Sequence, residues 1–376
     1  MIASTLRRLA LLAALPLALC APCAAQDLVV RGGQVVVNAN KGAHKGGLLV
    51  IREGKVIASG PKAKVPEGAE VLDRSRAWIV PGFVDARAHI GLEGDIDERS
   101  RPFADDIDMA GRVNKGHKDY RRHLAAGITT LLLCPGDQAL MSGAAVPVKS
   151  TGETLGEARV AKLSLTSAAA AAGPPTSQSG RLALLRARLR EAHKAEGGGP
   201  FEAFASGDIP GLVSVRNFAS VQAVERMAAK FGLRVIYDLQ TPLRGDALEG
   251  LDLEGLTFAL RPSTLAASRA QRSEAGLLDA AHATVIFTSQ APFAPAEGMR
   301  LAASQAARAG LPGRDALAGL TSAPAKALGL QGRVGTLVPG ADGDFVVFSG
   351  PPLDLRSRVL EVYVAGKRVY SAAEEE

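Results

Sequence analysis

Strand-like apolar runs alternate with helix-length segments through the middle of this chain. The apolar runs are residues 78–89, 129–134, 213–216, 233–237, 256–260 and 284–288, and helical patterns cover residues 120–126, 221–230 and 300–309. Repeated strand-then-helix units imply parallel strands joined by helical crossovers. About 250 residues of this pattern are typical of a (β/α)8 barrel. We therefore predict an α/β fold with such a barrel at residues 81–331.

Both ends of the chain are rich in short strand patterns. Residues 28–30, 34–37, 47–52 and 55–58 are apolar runs broken by glycine and charge, and residues 335–340, 344–348 and 359–370 repeat this pattern. Such runs predict strands joined by tight turns. We expect one small β-sandwich assembled from both termini, residues 26–80 and 332–376, and appended to the barrel.

The first 25 residues have the three-part layout of a secretory signal peptide. Arg7 and Arg8 form a basic start, residues 9–19 are apolar, and small residues lead up to Ala25. This order of basic, apolar and small residues is typical of an export signal. We predict cleavage after Ala25 and a periplasmic or secreted mature protein.

Cys134 is the one cysteine outside this leader, because Cys20 and Cys23 lie within it. A mature chain with one cysteine cannot form an intrachain disulfide. A lipoprotein signal is disfavoured, since Leu19 and Pro22 stand where a small residue would have to precede the acylated cysteine. Cys134 follows an apolar run, which predicts a buried, unreactive thiol rather than a nucleophile.

The charge pattern argues against a nucleic-acid partner, and the hydropathy pattern argues against a membrane span. The formal net charge is +6, basic residues are scattered apart from a helix-like run at 181–194, and aromatic residues make up 4% of the chain. Nucleic-acid-binding proteins concentrate basic residues on one face and stack bases on aromatic side chains. No segment after the leader is long and apolar enough to span a bilayer.

Residues 81–91 read PGFVDARAHIG and carry the most specific motif of the chain. Arg87 and His89 are two residues apart, so their side chains point to the same face of a strand. The segment resembles the first metal-binding strand of the amidohydrolase superfamily, which reads Pro-Gly-hydrophobic-hydrophobic-Asp-x-His-x-His. Arg87 takes the place of the first histidine.

Further motifs of the same family extend along almost the whole chain after the leader. They are GITT at 127–130, PG at 135–136, SGAA at 142–145, TSAPAKALGL at 321–330, and the segments 335–340, 344–348 and 350–354. The resemblance is to the imidazolonepropionase-related branch. It implies a (β/α)8 barrel and hydrolysis of carbon–nitrogen bonds other than ordinary peptide bonds, with one or two divalent metal ions.

The positions that hold metal ligands in the family differ in this chain. Ser214 stands where the family has a histidine at the end of the fifth strand, and Arg216 replaces a second histidine. Asp238 or Leu239 occupies the histidine position of the sixth strand, depending on a one-residue choice of register. Gln290 aligns with the eighth-strand aspartate, which the family uses as ligand and base.

His89 is the ligand-type residue that remains, and Arg87 beside it stays protonated and offers only hydrogen-bond donors. A catalytic metal needs about three protein ligands and a base that activates its water. We therefore expect no metal cofactor, and His89 to be held by hydrogen bonds. Lys149 and Lys162 are candidates for the carbamylated lysine of the family, with a surface lysine as the alternative for each.

Other polar residues have spacings that fit no ligand set. The remaining histidines outside the leader lack ligand-pair spacing: His44, His117, His123, His193 and His282. The acidic residues between 93 and 108 lack the regular oxygen-ligand spacing of a calcium loop. They predict a solvated lid loop.

We predict an exported amidohydrolase-family pseudoenzyme that has lost the standard metal site and binds a ligand in the same cavity. Arg87, Arg216 and Asp238 are expected to form a buried ion-pair network there, and two arginines favour an anionic small molecule. One alternative is an active hydrolase of a small amide or cyclic C–N substrate that uses His89, Asp238 and a metal such as zinc. A structural or assembly subunit, with a barrel mouth filled by side chains, is the other.

Overall fold

The computed structural model describes residues 27–194, 198–243, 248 and 252–374. The predicted leader, residues 1–25, and its cleavage position after Ala25 lie outside the described residues. Within the described parts of the chain, no helix is long and apolar enough to cross a membrane.

The two ends of the chain meet in one seven-stranded sheet, as the sequence predicts. Its strand order is β15-β14-β13-β4-β1-β2-β3, so the C-terminal strands extend the sheet from the edge of β4. β1 pairs with β4 in parallel, and β13 pairs with β4 antiparallel. The strands are β1 (Leu28–Val35), β2 (His44–Arg52), β3 (Lys55–Gly60), β4 (Glu70–Pro81), β13 (Phe345–Phe348), β14 (Val359–Val364) and β15 (Lys367–Ser371).

Alternation along these strands gives the sheet two apolar faces. Val80 and Val346 belong to the main core that continues into the barrel. Ile79 and Val347, their neighbours in the chain, belong to a separate core on the opposite face of the sheet. Because side chains alternate along a strand, the same central strands anchor both cores.

The middle of the chain forms an eight-stranded barrel sheet, which confirms the predicted α/β barrel. The strands run in the order β5 to β12, and hydrogen bonds from Gln290 N to Arg87 O (3.0 Å) and from His89 N to Ala291 O (2.7 Å) nearly close the sheet. The strands are β5 (Phe83–Ala88), β6 (Ile128–Leu133), β7 (Met141–Lys149), β8 (Val160–Ser164), β9 (Gly211–Val215), β10 (Val235–Leu239), β11 (Thr257–Leu260) and β12 (Thr284–Phe287).

One barrel strand departs from the expected all-parallel arrangement. β7 is antiparallel to both of its neighbours, β6 and β8. A parallel connection needs a crossover of roughly a dozen or more residues. The segments 134–140 and 150–159 that flank β7 contain no helix, so the chain reverses direction there.

Helices cover the outside of the barrel. α4 (Phe218–Phe231) begins after Asn217, whose side-chain oxygen accepts a hydrogen bond from Ser220 N. Gly232 follows the last residue of α4 in the left-handed conformation, which glycine adopts at little cost. The helices are α1 (Asp119–Ala125), α2 (Gln178–Ala192), α3 (Pro200–Ala205), α4 (Phe218–Phe231), α5 (Arg269–Ala280), α6 (Glu297–Arg308), α7 (Gly313–Ala318) and α8 (Ser322–Ala327).

Glu274 on α5 is a buried carboxylate outside the barrel interior. Its Oε1 accepts a hydrogen bond from Leu243 N, and the residue is 6% exposed. Burial raises the pKa of Glu274 from 4.5 to about 7, although the bond from Leu243 opposes this rise. The folded protein therefore binds the carboxyl proton of Glu274 more tightly than the unfolded chain does. For this reason the free energy of unfolding falls as the pH rises from 4.5 to 7.

Glu274→Gln is expected to match the native protein at pH 4 and to exceed its free energy of unfolding by about 3 kcal/mol at pH 8. A neutral amide keeps the acceptor for Leu243 N but carries no buried charge at high pH. Urea denaturation at the two pH values measures the difference. The matched control is Glu254→Gln at an exposed position, and an equal pH response of both variants would refute the assignment.

Candidate site in the barrel mouth

β5 brings Arg87 and His89 to the barrel interior near the carboxyl ends of the parallel strands. The two residues are 4% and 7% exposed. Their spacing of two places both side chains on one face of the chain, as the sequence predicts. In barrels of this type, the carboxyl ends of the strands carry the functional residues.

The Arg87 guanidinium lies at the centre of a hydrogen-bonded cluster. Nη1 donates to Asp238 Oδ2 and to Ser214 Oγ (3.1 Å), Nη2 donates to Asp137 Oδ2 (2.5 Å), and Nε donates to His89 Nε2 (3.4 Å). Two carboxylates thus pair with a single buried cation. We call Arg87, Asp137, Lys162, Ser214 and Asp238 the barrel network.

Lys162 supplies a second buried cation to the barrel network. It lies on β8 and is 0% exposed. Its Nζ donates to Asp137 Oδ1, to Ser214 Oγ (2.9 Å) and to Leu163 O (3.0 Å). Ser214 Oγ is 2.6 Å from Asp238 Oδ2 and 2.9 Å from Asp137 Oδ1, so its single hydrogen goes to one of the two carboxylates.

Two amides complete the surroundings of Asp238. Gln240 Nε2 donates to Asp238 Oδ2 (2.6 Å), and Gln290 Nε2 donates to Asp238 Oδ1 (3.3 Å). Gln290 has a φ of 54°, a left-handed conformation that is uncommon outside glycine. Such backbone outliers concentrate at functional sites.

The charges of the barrel network stabilise one another. Burial favours the neutral form of Asp137, but the charges of Lys162 and Arg87 outweigh burial and hold the pKa of its carboxyl well below the ordinary range. Burial lowers the pKa of Lys162, and the adjacent Asp137 opposes that change. Two cations and two carboxylates therefore balance inside the barrel.

His89 is a neutral imidazole. Burial, followed by the charge of Arg87, lowers the pKa of His89 to about 4. Its Nδ1 lies 2.9 Å from the carbonyl oxygen of Cys134, which can only accept, so Nδ1 carries the hydrogen and Nε2 accepts from Arg87. The Cys134 thiol is buried as predicted, and burial raises its pKa to about 12.

Asp85 supports the end of β5 instead of pairing with the Arg87 guanidinium. Its Oδ1 accepts from Arg87 N (3.0 Å) and Ser289 N (3.0 Å), and its Oδ2 accepts from the Ser289 hydroxyl. These bonds tie β5 to the segment after β12. Burial raises the pKa of this carboxyl.

The structure brings most of the sequence-predicted residues together and settles one register. Arg87, His89, Ser214, Asp238 and Gln290 share the barrel interior. Asp238 contacts Arg87, so it, and not the following leucine, fills the sixth-strand position. Asp238 also pairs in register with Ser214 on the adjacent strand.

The prediction that Arg216 belongs to the buried ion-pair network is wrong. β9 ends at Val215, and Arg216 is exposed, with a 3.4 Å hydrogen bond to Ser167 Oγ. Because it is the first residue beyond the strand, its side chain turns towards solvent at the rim.

The two candidate lysines have different environments, and neither is a surface residue. Lys162 lies inside the barrel, whereas Lys149 pairs with Asp342 Oδ2 (2.7 Å) and with Asp344 beside the terminal sheet. β7 is antiparallel, and Lys149 at its end pairs with Thr130 at the start of β6. Lys149 therefore lies at the opposite end of the barrel from Arg87.

Asp137 and Gln240 are site residues that the sequence analysis missed. Each follows a buried strand, β6 or β10, and this position at a strand end is the signal that would have found them. Arg261, after β11, donates to Gln240 Oε1 and lies exposed at the rim. The Phe293 ring is 77% exposed and packs edge-on against His89 at 5.5 Å between centroids.

The described residues do not fit the divalent metal that the family resemblance implies. The Arg87 guanidinium occupies the space between the two carboxylates, and His89 Nε2, the nitrogen that could bind a metal, accepts from Arg87. Across residues 27–194, 198–243, 248 and 252–374, no group of three or more His, Cys, Asp or Glu side chains converges to hold a metal ion.

Comparisons with known proteins agree with this fold. The amidohydrolase family model matches residues 270–370. Imidazolonepropionase of Acidiphilium cryptum (strain JF-5) is 26% identical in an alignment 371 residues long. The alignment covers 83% of this chain and 89% of that protein. The crystal structure of an amidohydrolase from Thermotoga maritima MSB8 has a TM-score of 0.79 at 23% identity, covering 92% of this chain and 100% of that one.

A more distant structural neighbour is an adenosine deaminase from Xanthomonas campestris, which was solved with bound zinc. It has a TM-score of 0.52 at 16% identity and covers 91% of this chain and 92% of that one. The zinc belongs to that protein, and this likeness concerns the fold. The family model and the imidazolonepropionase relatives support the resemblance of this chain to the amidohydrolase superfamily, and to its imidazolonepropionase-related branch.

Proposed function

We propose that this protein is a pseudoenzyme of the amidohydrolase superfamily that binds a small anionic molecule at the barrel mouth. The observation that carries the proposal is the buried Arg87 guanidinium, paired with Asp137 and Asp238 at the centre of the site. It puts a permanent cation where the family resemblance implies a metal ion.

Electrostatics support the absence of a catalytic metal. At an effective dielectric of about 20, two unit charges roughly 4 Å apart interact by about 4 kcal/mol, and a dication doubles that repulsion. A guanidinium is a permanent cation in proteins. Lys162 adds a second cation on the same carboxylate, Asp137.

The site also lacks a base suited to activating water near neutral pH. His89, with a pKa of about 4, already uses its Nε2 to accept from Arg87. Asp137 is held in its weakly basic ionised form by Lys162 and Arg87. Gln290, where the family has an aspartate, is a neutral amide. A general base works best when its pKa lies near the operating pH.

The rim of the barrel mouth supports an anionic ligand. Arg216 and Arg261 are exposed there. Guanidinium groups pair with carboxylates in a bidentate, charge-assisted geometry. The basic, apolar and small-residue order before Ala25 supports a periplasmic or secreted location for this activity.

Metal content is the direct test of the proposal. The mature protein, purified without chelators and incubated with zinc, manganese or iron, is expected to retain far less than one metal ion per chain by mass spectrometry. Stoichiometric metal would refute the pseudoenzyme and support an active hydrolase with an altered site. Arg216→His, a variant at the exposed rim, controls for metal bound to a single surface histidine.

A further inference from the structure

A carboxylate of the protein itself, that of Asp137, pairs with both Arg87 and Lys162 in the barrel. We infer that Arg87, Lys162 and Ser214 form a carboxylate-binding site that Asp137 occupies, and that a small carboxylate from solution displaces Asp137. This inference rests on the proposed function, because it names the ligand class and the group that the ligand replaces.

The donors around Asp137 suit a carboxylate of any origin. Arg87 Nη2 donates to Oδ2 (2.5 Å), while Lys162 Nζ and Ser214 Oγ (2.9 Å) meet Oδ1. Each oxygen therefore has its own cation, and the Ser214 hydroxyl donates its one hydrogen either to Asp137 Oδ1 or to Asp238 Oδ2. Charge-assisted bonds of this kind are the strongest ordinary hydrogen bonds in proteins.

Asp137 differs from Asp238 in how it is held. The Asp137 side chain is 17% exposed, against 0% for Asp238. Asp238 lies within β10 and accepts from Gln240 and Gln290 as well as from Arg87. Asp137 lies in the loop 134–140 and meets the barrel from the solvent side, so it is the carboxylate that an incoming molecule reaches first.

The backbone on both sides of Asp137 is fixed against the acidic segment that follows β5. Gly136 N donates to Ile96 O (2.8 Å), and Gln138 N donates to Asp97 Oδ1 (3.2 Å). A Cβ at position 136 would lie 1.9 Å from Asp97 Oδ1, so the two segments are in close contact. Displacement therefore requires rotation of the Asp137 side chain and leaves the loop in place.

Charge balance selects the ligand. Arg87 and Lys162 balance Asp137 and Asp238, so the interior gains one positive charge when the Asp137 carboxylate turns out to solvent. A carboxylate restores neutrality, whereas an amine or a metal ion would add repulsion. The exposed Arg216 and Arg261 at the rim favour a second acidic group on the same molecule, so we expect a dicarboxylate to bind more tightly than a monocarboxylate.

The test is a titration of the mature protein with formate, acetate and succinate at constant ionic strength. Calorimetry measures the dissociation constants, and the rise in melting temperature gives a second measure of binding. The native protein is expected to bind all three saturably, and succinate most tightly. Asp137→Ala is expected to bind each carboxylate at least about tenfold more tightly, since the Asp137 carboxylate no longer competes for Arg87 and Lys162. Acetamide, a neutral analogue of acetate, is expected to bind neither protein.

Asp137→Asn serves as the second variant if the alanine variant folds poorly, because its amide keeps the size of the side chain but not the charge. Glu93→Ala, at an exposed acidic residue of the adjacent loop, is the matched control and is expected to bind like the native protein. If only the Asp137 variants bind carboxylates, a carboxylate does not displace Asp137 in the native protein. If none of the proteins binds carboxylates, the inferred carboxylate site does not exist. Neither result concerns the proposed lack of metal, which the metal content decides separately.

Discussion

Replacing Arg87 with methionine is expected to lower the free energy of unfolding by about 3 to 5 kcal/mol, the usual cost of removing one partner from a buried ion pair. The substitution leaves Asp238, which is 0% exposed, without its cation, and takes one of two cations from Asp137. Methionine approximates the volume of the arginine stem, so lost charge and not lost packing dominates the change. Urea denaturation near pH 7 measures it.

Arg216→Met is the matched control, because Arg216 is exposed at the end of the neighbouring strand. Surface substitutions of this kind change stability by about 0.5 kcal/mol or less. Equal stability of the two variants would mean that the guanidinium does not hold the barrel interior together.

Arg87→His is expected to convert the site into a metal site. The substitution removes the central cation and leaves two imidazoles on one face of β5, with Asp137 and Asp238 beside them. Imidazole and carboxylate are zinc ligands, and three protein ligands suffice for such a site. We expect the variant to bind about one zinc ion per chain and to gain roughly 4 kcal/mol of stability at a thousandfold excess of zinc over its dissociation constant.

Mass spectrometry and thermal unfolding with and without zinc measure this conversion, and the native protein and Arg216→His are the controls. If Arg87→His takes up no more zinc than Arg216→His, the space now filled by the guanidinium is not the remnant of a metal site.

Strand periodicity and the family resemblance together predicted the central part of this site. A spacing of two put Arg87 and His89 on one face, and the family's ligand positions at strand ends selected Ser214, Asp238 and Gln290. Period-two alternation is a local property, so it can be read from the chain without knowing its partners. The barrel and the sheet made from both termini followed from the same kind of pattern.

The wrong or missing predictions concern features that depend on residues distant in sequence, or on placing a strand end to within one residue. Arg216 lies one residue beyond β9, and strand boundaries are the least certain part of such predictions. Whether Lys149 or Lys162 lies near Arg87 depends on the direction of β7. The sequence indicates that direction only through the lack of a helix-length segment on either side of the strand. Asp137 sits in a loop, and its side chain enters the barrel because Arg87 and Lys162, distant in sequence, attract it.

The terminal sheet also determines when the chain can fold. β13 lies between β4 and β14, so the first strands to be synthesised remain an incomplete sheet until the last strands leave the ribosome. Contacts between distant parts of a chain form slowly, because a long loop must close first. During that interval the apolar faces around Ile79 and Val80 are uncovered, and nascent chains in this state are prone to aggregate. Loss of β13 to β15 would leave the edge of β4 permanently open, so a chain without these strands would keep an unpaired edge on which aggregation can begin.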